Sequence, residues 1–222
     1  FVFSKHKIRT LKKDKKEGDF FAFMKAIEGE GDVLDVGANI GIMTAHLAQK
    51  FPKKTIHCIE PVPTNLEILE RIISKFQLKN TKVHQVAVGN EETELEMVLP
   101  IHQKVKMQGL AHVVHDSIDE WNEGEKFKVK ATRLDTLFGE IPISGIKMDI
   151  ENFEYFALEG AKQLLSKYNP VVYLELWENE NRDKYFELLE SLGYTAYVAV
   201  GENLKPYVQS EVNKQNFIFK VG

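Results

Sequence analysis

The spacing of apolar positions changes several times along the chain. Val33-Leu34-Asp35-Val36 is a short, nearly continuous apolar run and predicts a buried strand. A glycine-containing loop, Gly37-Ala38-Asn39-Ile40-Gly41, follows, and then a helix to Lys50. Thr55–Ile59 predicts a second strand. Pro63–Phe76 predicts an amphipathic helix, with Leu66, Ile68, Leu69, Ile72 and Ile73 at helical spacing, and Thr81–Val88 a third strand. Strands alternating with helices of these lengths predict βαβ units, hence an α/β fold whose parallel sheet carries helices on both faces. The pattern resumes with a strand at Ile143–Ile150, a helix at Glu154–Tyr168, a strand at Val171–Trp177 and a helix at Arg182–Leu192. Tyr194–Val200 and Asn216–Lys220 are the last two strands. A polar, turn-like stretch joins them in place of a helix, so they are expected to pair antiparallel.

Two regions depart from this rhythm. Glu94–Leu99 and Lys126–Thr132 predict β segments around the polar stretch Ile101–Gly124, which lacks helical periodicity. At the start of the chain, Phe1–Ile8 has a β-like pattern. The basic run Lys12-Lys13-Asp14-Lys15-Lys16 reads as a solvated turn in preference to a contact for an anionic surface. Asp19–Glu28 then places Phe20, Phe21, Phe23, Met24 and Ile27 at helical spacing. The expected organisation is an N-terminal extension over residues 1–30, made of a β segment and a helix. One α/β domain over residues 31–222 follows, with an insertion at residues 100–125.

Composition narrows the functional classes. The 222 residues are 43% hydrophobic and 28% charged, with net charge −4. That balance excludes a disordered chain and offers no basic footprint for nucleic acid. The single cysteine, Cys58, excludes an intrachain disulfide framework and a cysteine-based zinc site. No apolar run approaches the ~20 residues of a membrane span, and no signal-peptide core is present. The expected location is therefore cytoplasmic. The chain opens at Phe1 rather than Met, as expected of a fragment or a processed form.

Candidate chemistry centres on the loop after the first strand. Glycines there allow a ligand to approach the backbone, and a helix N-terminus presents free N–H groups. The dinucleotide fingerprint requires glycines at offsets 0, 2 and 5. Those offsets hold Gly37, Asn39 and Ile42, and no Gly-Lys-Ser/Thr phosphate loop occurs. Asp35 would repel a phosphate and attract an ammonium group. Glu60, at the end of the second strand, stands where an acid accepts hydrogen bonds from both hydroxyls of a ribose. A cationic amino-acid moiety with ribose and adenine but no phosphate describes S-adenosyl-L-methionine.

Several motifs, in order, carry a family resemblance: Asp35-Val36-Gly37-Ala38-Asn39-Ile40-Gly41, Glu60-Pro61, Val86-Ala87-Val88-Gly89 and Lys147-Met148-Asp149-Ile150-Glu151. Together with Leu158-Glu159-Gly160-Ala161 and Pro170-Val171-Val172, the chain resembles the FkbM-type methyltransferases from about Gly31 to Trp177. The resemblance implies a Rossmann-like three-layer sandwich with a mostly parallel seven-stranded sheet and an antiparallel last strand. It also implies S-adenosyl-L-methionine as cofactor, and O-methylation of a hydroxyl on a sugar, glycan or secondary metabolite. By motif, Asp35, Gly37, Asn39 and Gly41 would line the methionine side, and Glu60 would hold the ribose. Pro61 and Val62 would border the adenine, with Gln85, Val86 and Ala87 at its edge. The family's Asp-Val-Glu-Gly reads Asp149-Ile150-Glu151-Asn152 here; asparagine tolerates left-handed backbone, so the turn is expected to survive.

Methyl transfer to an alcohol requires alignment and a base. Asp149 and Glu151, at the end of the fourth parallel strand, and His112, in the insertion, are the candidate catalytic residues. Glu175 and His115 stand behind them, and Lys147 is expected to pair with a buried carboxylate or reach the sheet edge. Residues 100–125, with His102, Lys104, Lys106 and Trp121, are the expected acceptor region. No metal is assigned, although Asp149 and Glu175 carry the oxygen donors a divalent ion would use. The expected partner is a small-molecule or glycan hydroxyl acceptor, not nucleic acid. The competing classes are a non-catalytic cofactor-binding module, a nucleotide-dependent oxidoreductase and an RNA methyltransferase.

Overall fold

Val33, Leu34 and Val36 are completely buried in strand β1 (Asp32–Val36), the centre of the main sheet. A computed structural model describes residues 1–102, 105–106, 111–115, 123–177, 182–201, 203–208 and 215–222. β1 pairs in parallel with β2 (Ile56–Ile59) on one side and β9 (Ile143–Met148) on the other. Beyond β2 lies β3 (Thr81–His84); beyond β9 lies β10 (Val171–Glu175). The strand β13 (Asn216–Val221) runs antiparallel to both β10 and β11 (Tyr194–Val200). This is the expected antiparallel closing pair. The order β12-β11-β13-β10-β9-β1-β2-β3 gives eight strands rather than seven. The addition is β12 (Asn203–Pro206), an edge strand on β11 that ends in a proline, a residue sheets accept only at edges.

Side-chain alternation divides the core into two layers, as a sheet covered on both faces requires. Leu34, Val36, Ile146 and Met148 face α5 (Leu134–Phe138), α6 (Glu154–Glu159), α7 (Lys162–Tyr168) and α8 (Arg182–Ser191). Val33, Ile56 and Cys58 face α1 (Val2–Thr10), α2 (Gly18–Ala26), α3 (Ile42–Lys50) and α4 (Pro63–Phe76). The result is a three-layer Rossmann-like sandwich.

Three expectations change. Phe1–Ile8 is helical because its buried positions, Ser4, Ile8 and then Leu11, recur at i, i+4 and i+7. The segment expected as one helix from Glu154 to Tyr168 divides at Gly160-Ala161. A Cβ on Gly160 would lie 2.0 Å from the Gly89 carbonyl oxygen, so that close approach fixes the break. The third strand ends at His84 rather than Val88. The His84 carbonyl accepts from both Glu60 N–H and Val86 N–H, and the chain leaves the sheet there.

Ala87–Val88 (β4) joins a second sheet with β8 (Gly124–Thr132) and β5 (Thr93–His102). Two short strands, β6 (Val105–Lys106) and β7 (His112–Val113), also pair with β5. Met97 and Val113 from this sheet pack on Val62 and Phe153, at the carboxyl ends of the parallel strands. That is where open α/β sheets bind ligands.

Away from that end, His57 Nε2 donates to Asp32 at 3.2 Å, so His57 Nδ1 accepts from His84 Nε2 at 3.0 Å. Phe138 packs edge-on against both rings. Burial lowers the pKa of His57 against the pull of Asp32. Burial, helped by His57 and Lys82, lowers that of His84 to about 4. The unfolded chain therefore binds more protons than the folded one between about pH 6.5 and 4, and stability is lost as pH falls through that window. Between pH 7.5 and 5 the wild type should lose about 1–2 kcal/mol more than His84→Gln, allowing for partial solvent screening. Denaturant unfolding at the two pH values measures this, and equal losses in both proteins would refute it.

Candidate active site

Gly37 (φ +72°), Asn39 (φ +48°) and Gly41 (φ +82°) all adopt left-handed backbone, which coils the loop tightly over the sheet end. At Gly37 no side chain is possible: a Cβ would lie 2.0 Å from the Asp149 carbonyl oxygen. At Gly41 the positive φ selects glycine, and a Cβ there would meet the end of the Leu69 side chain of α4. The loop opens on a cavity with about 60 Å³ of enclosed space, within about 600 Å³ that includes its solvent-open side.

Glu60 forms one wall and is only 4% exposed. Its Oε2 accepts from Asn39 N–H at 2.8 Å. Its Oε1 accepts from Val62 N–H at 3.0 Å and from Asn65 Nδ2 at 3.2 Å. Burial still raises its pKa against these donors and Lys147. A carboxylate offers about four lone-pair sites, and three are used. One remains for a ligand hydroxyl, where sequence reasoning expected room for two. Pro61 and Val62 continue this wall, and Val86, between β3 and β4, and Ala87, the first residue of β4, also line the space.

Asp149 and Glu151 stand across the cavity. The turn that carries them has Glu151 at φ +55° and Asn152 at φ +72°, so asparagine takes the left-handed position as expected. Glu154 locks the turn by accepting from Ile150 N–H at 2.7 Å. Behind Asp149 lies Lys147, 4% exposed. Its Nζ donates to the Gly37 carbonyl at 2.9 Å and lies 3.5 Å from Asp35 Oδ1 and 3.7 Å from Asp149 Oδ2. Burial opposes the charge on Lys147, but Asp35 and Asp149 outweigh it and the net pKa moves upward. Burial, then Asp149 and Glu175, pushes Glu151 up to about 8. Glu175 reaches about 7 through burial and then Asp149.

The structure thus gathers Gly37, Asn39, Glu60, Pro61, Val62, Val86, Ala87, Asp149 and Glu151 around one space. It does not bring Asp35, Gly41, Gln85 or His112 there. Asp35 is completely buried; its ammonium partner is the protein's own Lys147, and Thr44 Oγ1 donates to it at 2.6 Å. Gln85 is exposed. His112, expected as a candidate base, is not among the lining: Ala111 and Val113 line the cavity, and strand alternation turns the buried residue between them to the other face. His115 packs on Phe156 with ring centroids 4.7 Å apart. Glu175 lies outside the lining. Lys104 and Trp121 fall outside the described residues.

Sequence reasoning missed Asn65, Met97 and Phe153 in the wall. Asn65 is a buried polar residue in the first turn of an amphipathic helix, and that anomaly was its one signal. Met97 and Phe153 are ordinary apolar residues until the second sheet folds over. Among the described residues, no group of three or more His, Cys, Asp or Glu is arranged to hold a metal ion. Among them, too, no helix is long and apolar enough to cross a membrane.

Comparison with known proteins agrees with this geometry. The family model for the methyltransferase FkbM domain matches residues 35–196. The curated protein "Methyltransferase 1" of Beauveria bassiana is 25% identical over 142 residues, which span 58% of this chain and 57% of that one. The crystal structure of methyltransferase FkbM from Methylobacillus flagellatus superposes with a TM-score of 0.58 at 18% identity, covering 86% of this chain and 43% of that one. A SAM-dependent O-methyltransferase from Thermotoga maritima gives a TM-score of 0.51 at 14% identity, over 97% and 70% of the two chains. The last two show the shared fold. The chain belongs to the FkbM methyltransferase family, whose cofactor is S-adenosyl-L-methionine.

Proposed function

We propose that this protein transfers a methyl group from S-adenosyl-L-methionine to a hydroxyl group on a sugar, glycan or secondary metabolite. One observation supports this above all: Asp149 and Glu151 face the same cavity as Glu60, Pro61 and Val62. The residues fit the cofactor. Glu60 keeps an acceptor site for a ribose hydroxyl, Pro61, Val62 and Val86 offer apolar surface for a flat base, and the acids opposite suit a cation. An acid-lined site of this kind disfavours the pyrophosphate of a dinucleotide and the backbone of a nucleic acid.

When bound, the cofactor supplies an electrophilic methyl group on a sulfonium. Methyl transfer to an acceptor oxygen would leave the hydroxyl proton for a carboxylate of this chain to take. Asp149 is placed for that role: it lines the cavity, its side chain is 39% exposed, and it lies 3.7 Å from the Lys147 ammonium. Glu151 holds a proton near neutral pH and releases it when a cation sits beside it. Lys147 and Glu154 position these two acids, through the Asp149 contact and the Ile150 hydrogen bond.

Three measurements test this reading. Calorimetry with S-adenosylhomocysteine should show clear binding to wild type and a loss of about 1–3 kcal/mol in Glu60→Ala, the scale of a buried charged hydrogen bond. Absence of binding to the wild type would remove the cofactor assignment. With an acceptor in hand, Asp149→Asn should lower kcat by about 10²–10⁴-fold, and unchanged turnover would remove Asp149 as base. The third uses pH. Glu151 becomes anionic as pH rises through about 8, so affinity for the sulfonium S-adenosyl-L-methionine should rise relative to neutral-sulfur S-adenosylhomocysteine between about pH 7 and 9. The amino group of each ligand titrates in this range with its own pKa, which is measured on the free ligand and corrected for before the ratio is taken. A flat ratio, or one that rises equally in Glu151→Gln, would contradict the assignment.

A further inference from the structure

A second cavity, of about 390 Å³, lies between the N-terminal segment and α3. Its size falls within the range of ligand pockets. None of its lining residues touches the cavity described above. Helix α3 begins at the Gly41 loop and ends here, about 13 Å away at 1.5 Å per residue.

The wall is strongly one-signed. Lys12 comes from the turn after α1, Lys25 from α2 and Lys50 from the last turn of α3, while Gln49 adds an amide. Phe21 and Met24 supply apolar surface. Among the described residues, no aspartate or glutamate lines the space. Lys12 and Lys50 form no ion pair among the described residues. The surroundings strengthen the sign. Residues 1–16 carry seven basic side chains and one acidic, a charge of +6, whereas the whole chain carries −4 and the remainder therefore −10.

His46 completes the wall at 5% exposure. A hydrogen bond to the Ile8 backbone holds its ring, and Phe20 and Phe21 pack edge-on against it at 6.5 and 5.5 Å. Its Nε2 is buried without a hydrogen-bond partner among the described residues. Burial, and then Lys12, lowers the pKa of the ring, which is neutral at neutral pH. A neutral imidazole that donates through one nitrogen keeps a lone pair on the other.

We infer that this cavity is a second binding site and that it takes a phosphate group. A hydrogen phosphate offers several oxygens to the lysine ammonium groups and a proton to an imidazole lone pair. Lysine is a common point-charge partner of phosphate. Phe21 and Met24 suit an organic substituent on that phosphate. The same chemistry occurs in soluble phosphate esters and in phospholipid headgroups.

The test follows the His46 ring resonances by NMR in the whole chain, titrated with inorganic phosphate at constant ionic strength. The expected result is a saturable shift, a higher His46 pKa in the bound form, and affinity about tenfold weaker in the double variant Lys12→Gln/Lys50→Gln. Both substitutions are on exposed side chains, so the fold is retained. No saturable shift, or equal affinity in the variant, overturns the site. Co-sedimentation with phosphatidylcholine vesicles containing phosphatidylglycerol separates the sources. Vesicle binding that phosphate displaces and the variant weakens assigns the site to lipid headgroups, whereas phosphate binding without co-sedimentation assigns it to soluble esters. Vesicle binding that phosphate does not displace counts against the cavity as the headgroup site.

Discussion

The buried ammonium of Lys147 is the contact on which the site depends. It sits on β9, beside β1, and reaches the Gly37 carbonyl, Asp35 and Asp149 together. Those partners come from the central strand, the glycine loop and the turn after β9. Removing one member of a buried ion pair leaves an uncompensated charge and typically costs about 3–5 kcal/mol. Asp35, completely buried, has Lys147 and Thr44 as its partners. Gly37, for its part, must be glycine because the Asp149 backbone crosses it at a distance no side chain permits. The loop, the lysine and the turn are therefore one assembly.

Glu60 plays the corresponding role on the other wall. Its carboxylate fixes the Asn39 and Val62 amides, so it sets the spacing between the glycine loop and the start of α4. Three donors hold it in one orientation, and its fourth acceptor site is left for a ligand. The second sheet roofs this arrangement. Its formation depends on the chain leaving the main sheet at His84, where one carbonyl accepts from both Glu60 and Val86. The residue that ends β3 thus also delivers Val86 and Ala87 to the cavity.

Much of this was legible in the sequence. The βαβ alternation and the antiparallel closing strands follow from periodicity, because apolar runs bounded by glycine and polar turns leave few other arrangements. Glu60, Gly37 and Asp149 were found from their places at strand ends. What escaped detection depends on contacts distant in sequence. The helix at Val2–Thr10 opens on residues of β propensity, and only packing selects the Ser4–Ile8 stripe. Asp35 has the residue type of a ligand contact, but its strand register aims it at Lys147. His112 has the right chemistry and the wrong parity, since one step along β7 exchanges the cavity for the opposite face.

The acids at the strand ends outnumber their cation. Asp35, Asp149, Glu151 and Glu175 all act on or around one lysine. Full ionisation would leave several like charges confined at low dielectric, a state that burial makes costly. The folded protein instead keeps protons on Glu151 and Glu175 up to about pH 8 and 7. The free site therefore carries less negative charge than full ionisation would give it, and more is expressed when a cation arrives and those protons leave. On the proposed function such a site would discriminate by charge: a methyl donor bearing a positive sulfur would gain from the released carboxylates, and its demethylated product, with a neutral sulfur, would not. The crowding of carboxylates that is costly to the free fold would then favour substrate over product in the bound state.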